Sequence, residues 1–166
     1  MWRTPDPGRF VVGVNLPWVG YGTDIGASAW YPDGGLARQP ASLETLDRTF
    51  ATLARDGIPV ARVFLLCDLR SGVQFDAAEV PLAVDHGVIR DVAAPVDAAR
   101  RHGVLLLPVL LDFHLCGPRE TVNGVQLGGR SRLIADDDTS TALVERVVRP
   151  LVEAFGRDDT IAAWDV

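Results

Sequence analysis

"GVLLLPVLLDFHLCG", Gly103 to Gly117, is the stretch that decides the fold. Val104 to Leu111 is unbroken and apolar, and then Asp112, Phe113 and His114 follow. A short continuous apolar run opened by glycine reads as a strand buried on both faces, which is the habit of parallel sheets. If the strand continues through them, an acid and an imidazole at i and i+2 point to one side. A dry strand that turns polar at its carboxyl end places a candidate site on the end of a buried sheet.

Three more segments have the character of a strand: Phe10 to Leu16, Val60 to Leu66 and Thr160 to Val166. Helical patterns separate them. Leu43, Leu46, Phe50 and Leu53 share one helical face after Ser42, the expected N-cap, and Gly57 closes that helix. Ile89 to His102 is the second helix, with Pro95 at a kink or in its first turn and Gly103 at its end. Asp138 to Phe155 is the third, with Pro150 expected to bend it and Gly156 to end it. The order β-α-β-α-β-α-β predicts an α/β fold, with a parallel sheet in the order 1-2-3-4 covered by helices. Its helix-to-strand links are short. Its strand-to-helix links, Pro17 to Ala41, Cys67 to Val88 and Asp112 to Asp137, all exceed the ~12–15 residues beyond which loops are usually functional. All three leave the carboxyl ends of strands, the face where parallel α/β folds bind ligands. In the third, "TVNGVQL" sets Asn123-Gly124 between β-formers, as a two-residue hairpin turn requires.

The chain has 166 residues, 48% of them hydrophobic, which is enough for one domain (1–166) with a core. A net charge of −6 argues against nucleic acid or an anionic membrane as partner. No window is apolar enough to span a bilayer and the N-terminus lacks a signal-peptide core, so the default expectation is cytoplasmic. Cys67 and Cys116 are expected as free thiols, and no C-x-x-C suggests zinc. Asp136, Asp137 and Asp138 precede a helix and read as caps rather than a calcium site. No cofactor or metal is expected.

Four strands and three helices leave two bare sheet edges, which proteins normally cover or close. Eight such strands close a barrel, so the simplest expectation is the N-terminal half of a (β/α)8 TIM barrel. The rival is a small doubly wound sheet, but "PWVGYGTDIG" after the first strand is no short phosphate-binding turn.

"GVNLPW", "GIPVARVFLL", "GVLLLPVLLDFH" and "RPLVEAFGRDDTIAAWDV" stand in the order and spacing of successive barrel units. In them the sequence resembles the retaining glycoside hydrolases with (β/α)8 barrels, the group that contains family 5 cellulases and β-mannanases. The resemblance covers nearly the whole chain apart from the long loops. It implies hydrolysis of O-glycosidic bonds in β-linked poly- or oligosaccharide. It also implies an acid/base glutamate in an Asn-Glu pair after the fourth strand and a nucleophilic glutamate at the end of the seventh. Retaining hydrolysis uses two such carboxyls, ~5–5.5 Å apart. The 166 residues end at Val166, before either position. No catalytic carboxylate is therefore carried over, and the fragment alone is expected to be inactive and to self-associate through its open edges.

The supporting residues are carried over. Arg62 matches the arginine that holds the nucleophile's charge, the plain alternative being a structural ion pair. His114 matches a histidine lining the sugar site, against one satisfied locally in a loop. Asp112 either orients His114 or bonds a neighbouring turn. Asn15 ends the first strand, where it bonds a substrate hydroxyl or caps the strand. Trp18, Tyr21, Trp30 and Tyr31 crowd the first long loop. Sugar rings stack on aromatic faces, so Trp18, Trp30 and Tyr31 are candidate substrate contacts, although each alone is as well explained by packing. Trp2 and Trp164 read as packing residues. Two other functions remain open at this point: a non-catalytic carbohydrate-binding or interaction protein on a half-barrel scaffold, and an unrelated α/β small-molecule binder.

Overall fold

A computed structural model describes residues 11–166. Phe10 and Trp2 lie outside the described residues. The chain runs β1 (Gly13–Leu16), α1 (Pro40–Arg55), β2 (Val60–Phe64), β3 (Val73–Phe75), β4 (Pro81–Val84), α2 (Val88–His102), β5 (Leu105–Val109), β6 (Glu120–Val122), β7 (Val125–Leu127), α3 (Arg132–Ala135), α4 (Asp137–Leu143) and α5 (Arg149–Phe155).

β1, β2 and β5 form a parallel sheet in that order, with Asn15 opposite Arg62 and Arg62 opposite Leu107. The segment after α5 extends the sheet beyond β5 in parallel. It does so only through isolated bridges, Leu106 to Ile161 and Val109 to Asp165, rather than as the full strand expected over Thr160 to Val166. Helices cover one face. Ala61, Val63 and Leu106 pack there against Leu46 and Phe50 of α1, Val92, Val96 and Ala99 of α2, and Leu151 and Phe155 of α5. The alternate residues Asn15, Arg62, Phe64 and Leu107 face the other way. A hollow of about 400 Å³ opens on that inner face, lined by Gly13, Asn15, Val60, Arg62 and Leu107. The architecture is half of a (β/α)8 barrel.

Local signals set the helix ends. α1 starts two residues before Ser42: Gln39 is its N-cap and Pro40 its first residue, where a missing N–H costs nothing. The Ser42 hydroxyl donates to Gln39 Oε1 at 3.2 Å, so it supports the cap without being it. α2 accommodates Pro95 in its interior, buried against the core, and stops at Gly103 in the left-handed conformation (φ 67°). The third helix is continuous as expected: Asp136 caps it by accepting the Thr139 N–H at 3.0 Å, and a π-helical turn over Val144–Val148 joins α4 to α5 without leaving helical backbone. There Arg149 N–H donates to Val144 O, five residues back, just before Pro150, which has no N–H to give.

All three long loops lie at the carboxyl end of the sheet. The third carries the Asn123-Gly124 hairpin as expected, β6 against β7, with both turn residues at positive φ. The second carries a further hairpin, β3 against β4, which the sequence did not announce.

Candidate active site

A long loop lacks ladder partners for its backbone, so its N–H groups need acceptors from elsewhere. Buried aspartates supply them here. Asp91, on α2 and fully buried, accepts from Gly26 N (2.9 Å), Gly35 N (3.1 Å) and Ala37 N (2.9 Å), and so fastens the first loop onto the helix layer. Asp24 accepts from Val19 N and Gly20 N, both at 2.7 Å, and burial pushes its carboxyl above the usual range against those two bonds. Asp85 takes Ala27 N at 2.6 Å.

Asp68 clamps the second loop to the third. Its Oδ1 accepts from Arg70 Nε at 2.7 Å, and its Oδ2 from Arg70 Nη2 at 3.1 Å and from Gly128 N at 2.8 Å. The pair is almost wholly buried, at 1% and 5% exposure. Burial pushes the Asp68 carboxyl up, but the Arg70 guanidinium and the Gly128 N–H outweigh it and hold the group below its usual range. Arg130 adds a bond from Nη1 to Asp68 O at 2.9 Å.

On the inner face, Arg62 meets a carboxylate, as a charge inside an apolar strand requires. Its Nε and Nη2 donate to Asp165 Oδ2 at 2.9 and 2.7 Å, across β5, and its Nη1 donates to Asn15 Oδ1 at 3.2 Å on β1. The side chains are 35% and 39% exposed, so this pair faces open space rather than core. The Arg62 guanidinium also lies 4.6 Å from the centre of the Phe64 ring. Phe64 stacks on Trp18 (5.3 Å) and Trp18 on Tyr21 (4.6 Å), and Arg70 reaches the far side of Tyr21 at 5.7 Å. A continuous file of rings thus connects the exposed arginine to the buried one. Trp18 lies half-buried within it, and its buried Nε1–H has no partner among the described residues.

Asp112 and His114 do not share a strand face. β5 ends at Val109, and Phe113–Cys116 forms a tight 3-10 turn. Asp112 caps that turn: its Oδ1 accepts the His114 N–H at 2.8 Å and its Oδ2 accepts the Cys67 S–H at 2.9 Å. It therefore orients the backbone of His114, not its ring. Burial first, and then the bond to Asp112, push the Cys67 thiol up, so it is a poor nucleophile. The His114 ring packs on Phe113 at 4.2 Å, and no hydrogen bond joins it to Arg62 among the described residues. Trp30 donates from Nε1 to Val122 O at 3.0 Å, which ties the first loop to the β6–β7 hairpin, while Tyr31 stays half exposed. Among the described residues no group of three or more metal-ligating side chains occurs, and no helix is long and apolar enough to cross a membrane.

No protein-family model matches the chain. Among curated proteins, a mannan endo-1,4-beta-mannosidase of Mytilus edulis is 24% identical over 157 residues, 95% of this chain. One of Cryptopygus antarcticus is 25% identical over 159 residues. The chain resembles family 5 β-mannanases. It spans 38% and 37% of the lengths of those two relatives. The solved Mytilus edulis β-mannanase superposes with a TM-score of 0.74 at 22% identity over 95% of this chain and 40% of that one. A glycoside hydrolase family 5 protein of Streptomyces cattleya, solved in complex with Manb1-4GlcNAc, gives 0.55 at 19% identity over 75% of this chain. These superpositions show the half-barrel fold.

Asp165 is the site residue the sequence reading missed. The signal for it was present: an arginine inside a strand demands an anion, and the fourth strand-like segment offers one at its end.

Proposed function

We propose that this chain works as the first three βα units and the fourth strand segment of a retaining glycoside hydrolase that cleaves β-1,4-linked mannan. The observation that carries the reading is the Arg62–Asn15–Asp165 constellation on the inner face of a half-barrel whose fold matches that of solved β-mannanases. A cation held by strand residues and open on one side is suited to fix a further carboxylate bidentately. In this role Arg62 keeps the nucleophile ionised and aimed at the anomeric carbon. His114 and the rim aromatics bind sugar.

The described carboxylates nearest the carboxyl end of the sheet are already engaged. Both oxygens of Asp112 are engaged, Asp165 is bound to Arg62, and Asp68 is sealed in the loop layer. The two reacting carboxyls belong to the remaining barrel units. Reducing-end release from β-1,4-mannan tests this. A protein in which these residues continue into a complete barrel should hydrolyse mannan and give the β-anomer first by NMR, while the 166-residue chain alone should be inactive. Robust hydrolysis by the 166 residues alone, or no hydrolysis by the complete barrel, rejects the reading.

A further inference from the structure

A long side chain on an open face samples many rotamers unless its neighbours hold it. Arg62 is held on three sides. Its own register partner on β5 is Leu107, whereas Asp165 bridges to Val109, two residues nearer the carboxyl end of the sheet. Arg62 Nε and Nη2 nonetheless reach Asp165 Oδ2 at 2.9 and 2.7 Å, so the guanidinium leans toward that end. Phe64, two residues further along β2 and on the same face, has its ring centre 4.6 Å from the guanidinium carbon, as such a lean requires. From β1, on the opposite side, Asn15 Oδ1 takes Nη1 at 3.2 Å. Two acceptors and a ring therefore fix where the fork points. Three of its N–H donors are engaged, which leaves one on Nη1 and one on Nη2. The anchor is itself fixed. The segment that carries Asp165 pairs with β5 only through isolated bridges, yet at this residue both backbone groups are bonded, Asp165 N to Pro108 O and Leu110 N to Asp165 O, each at 2.9 Å.

We infer that Asp165 is a positioning residue for the reaction. Pinned to β5 by its own backbone, it draws the Arg62 guanidinium toward the carboxyl end of the sheet and turns the two remaining donors to the reacting carboxylate that the rest of the barrel supplies. Asp165 touches neither that carboxylate nor the sugar. It acts through Arg62, which is aimed before substrate arrives and needs no reordering in the transition state. The inference rests on the proposed function and adds to it the residue that aims the cation.

The test uses the complete barrel, with kcat and KM on mannan expressed per folded molecule from melting curves. Asp165→Ala should lower kcat about tenfold to a hundredfold, the usual worth of a charge-assisted hydrogen bond, and leave KM within about twofold. Asp165→Asn keeps an oxygen for Nε and Nη2 and should recover part of the loss. In an Arg62→Ala background, Asp165→Ala should lower kcat by less than about twofold more, because its effect passes through the guanidinium. An active parent whose Asp165→Ala variant keeps its kcat, or in which the losses from the two substitutions multiply, overturns the inference and leaves the proposed function standing. A raised KM with unchanged kcat makes Asp165 a substrate contact and overturns it as well. A parent that does not cleave mannan overturns the proposed function and the inference with it.

Discussion

Arg62 and Arg70 both meet an aspartate, yet they do so in opposite surroundings. Arg70 and Asp68 are two residues apart in a loop, 5% and 1% exposed, with Arg70 Nε and Nη2 both donating to the carboxylate. Arg62 and Asp165 are separated by 103 residues, lie on the sheet's inner face, and are 35% and 39% exposed. The buried pair has already lost its water and holds the second loop to the third. Removing one partner strands a charge. The open pair keeps much of its hydration, so its attraction is screened and adds little stability, and one side of it remains able to meet another group. Burial therefore assigns one pair to architecture and leaves the other accessible for the role proposed for it. The file of rings from Phe64 through Trp18 to Tyr21 is the material contact between them.

The largest expected effect breaks the buried side. Asp68→Ala leaves Arg70 unpaired and Gly128 N without its acceptor, and should cost about 3–5 kcal/mol in denaturant unfolding. Acid should erase the difference. The folded Asp68 group titrates below its unfolded value of about 3.9, so its stabilisation is complete above that pH and disappears as pH falls through the lower, folded value. The gap between parent and variant should be constant near neutrality and close below about pH 4. A gap that widens on acidification would contradict the assignment.

Asp91→Ala comes next. It removes the acceptor of three backbone N–H groups at once, and should cost about 2–3 kcal/mol. Hydrogen exchange locates the effect. Gly26, Gly35 and Ala37 amides should lose protection while the amides of β2 and β5 keep theirs. Uniform loss across the sheet would mean that Asp91 supports the core and not the first loop.

A smaller effect is expected at the tip of the third loop. Gly124 sits at φ 80° with nothing within 4 Å of where a Cβ would stand, so Gly124→Ala pays only for the left-handed backbone, about 1 kcal/mol. Its readout is local: faster exchange in β6 and β7 and a weakened bond from Trp30 to Val122 O, reported by tryptophan fluorescence. A melting temperature lowered as far as by Asp68→Ala would show that the hairpin carries the loop layer.

What was legible in the sequence follows the same division. β1, β2, β5 and the helix faces are written in uninterrupted apolar runs and 3.6-residue periodicity, because burial of a regular element repeats along the chain. β6–β7 was legible through Asn123-Gly124. β3–β4 was not, because its turn is shaped by Asp76 accepting from Ala78 and Val80 N–H and by Glu79 at φ 60°, with no turn dipeptide to mark it. The start of α1 was misplaced because Ser42 was preferred over the proline at its first position. Arg62 was legible as a charge inside an apolar strand, but its partner Asp165 and the bond from Gly128 N to Asp68 depend on contacts between distant segments. Asp112 and His114 share a face only under strand alternation, and the strand ends at Val109, three residues before Asp112.

The smallest stability effect sits at the residue with the largest expected effect on turnover, which is what the comparison demands. Arg62→Ala should change unfolding free energy by about 0–1 kcal/mol, since its partner Asp165 can rehydrate in the open hollow. In the complete barrel the same change should lower kcat about 10²–10³-fold, the cost of removing a preorganised donor from a reacting carboxylate. KM should move little, because the interaction lost is made to the enzyme's own nucleophile and not to the sugar. Arg62→Lys keeps the charge but not the fork, so it should recover only part of the rate. A variant that unfolds several kcal/mol more easily with kcat per folded molecule unchanged would move Arg62 to the architectural side, and the distinction drawn from burial would fail at its central residue.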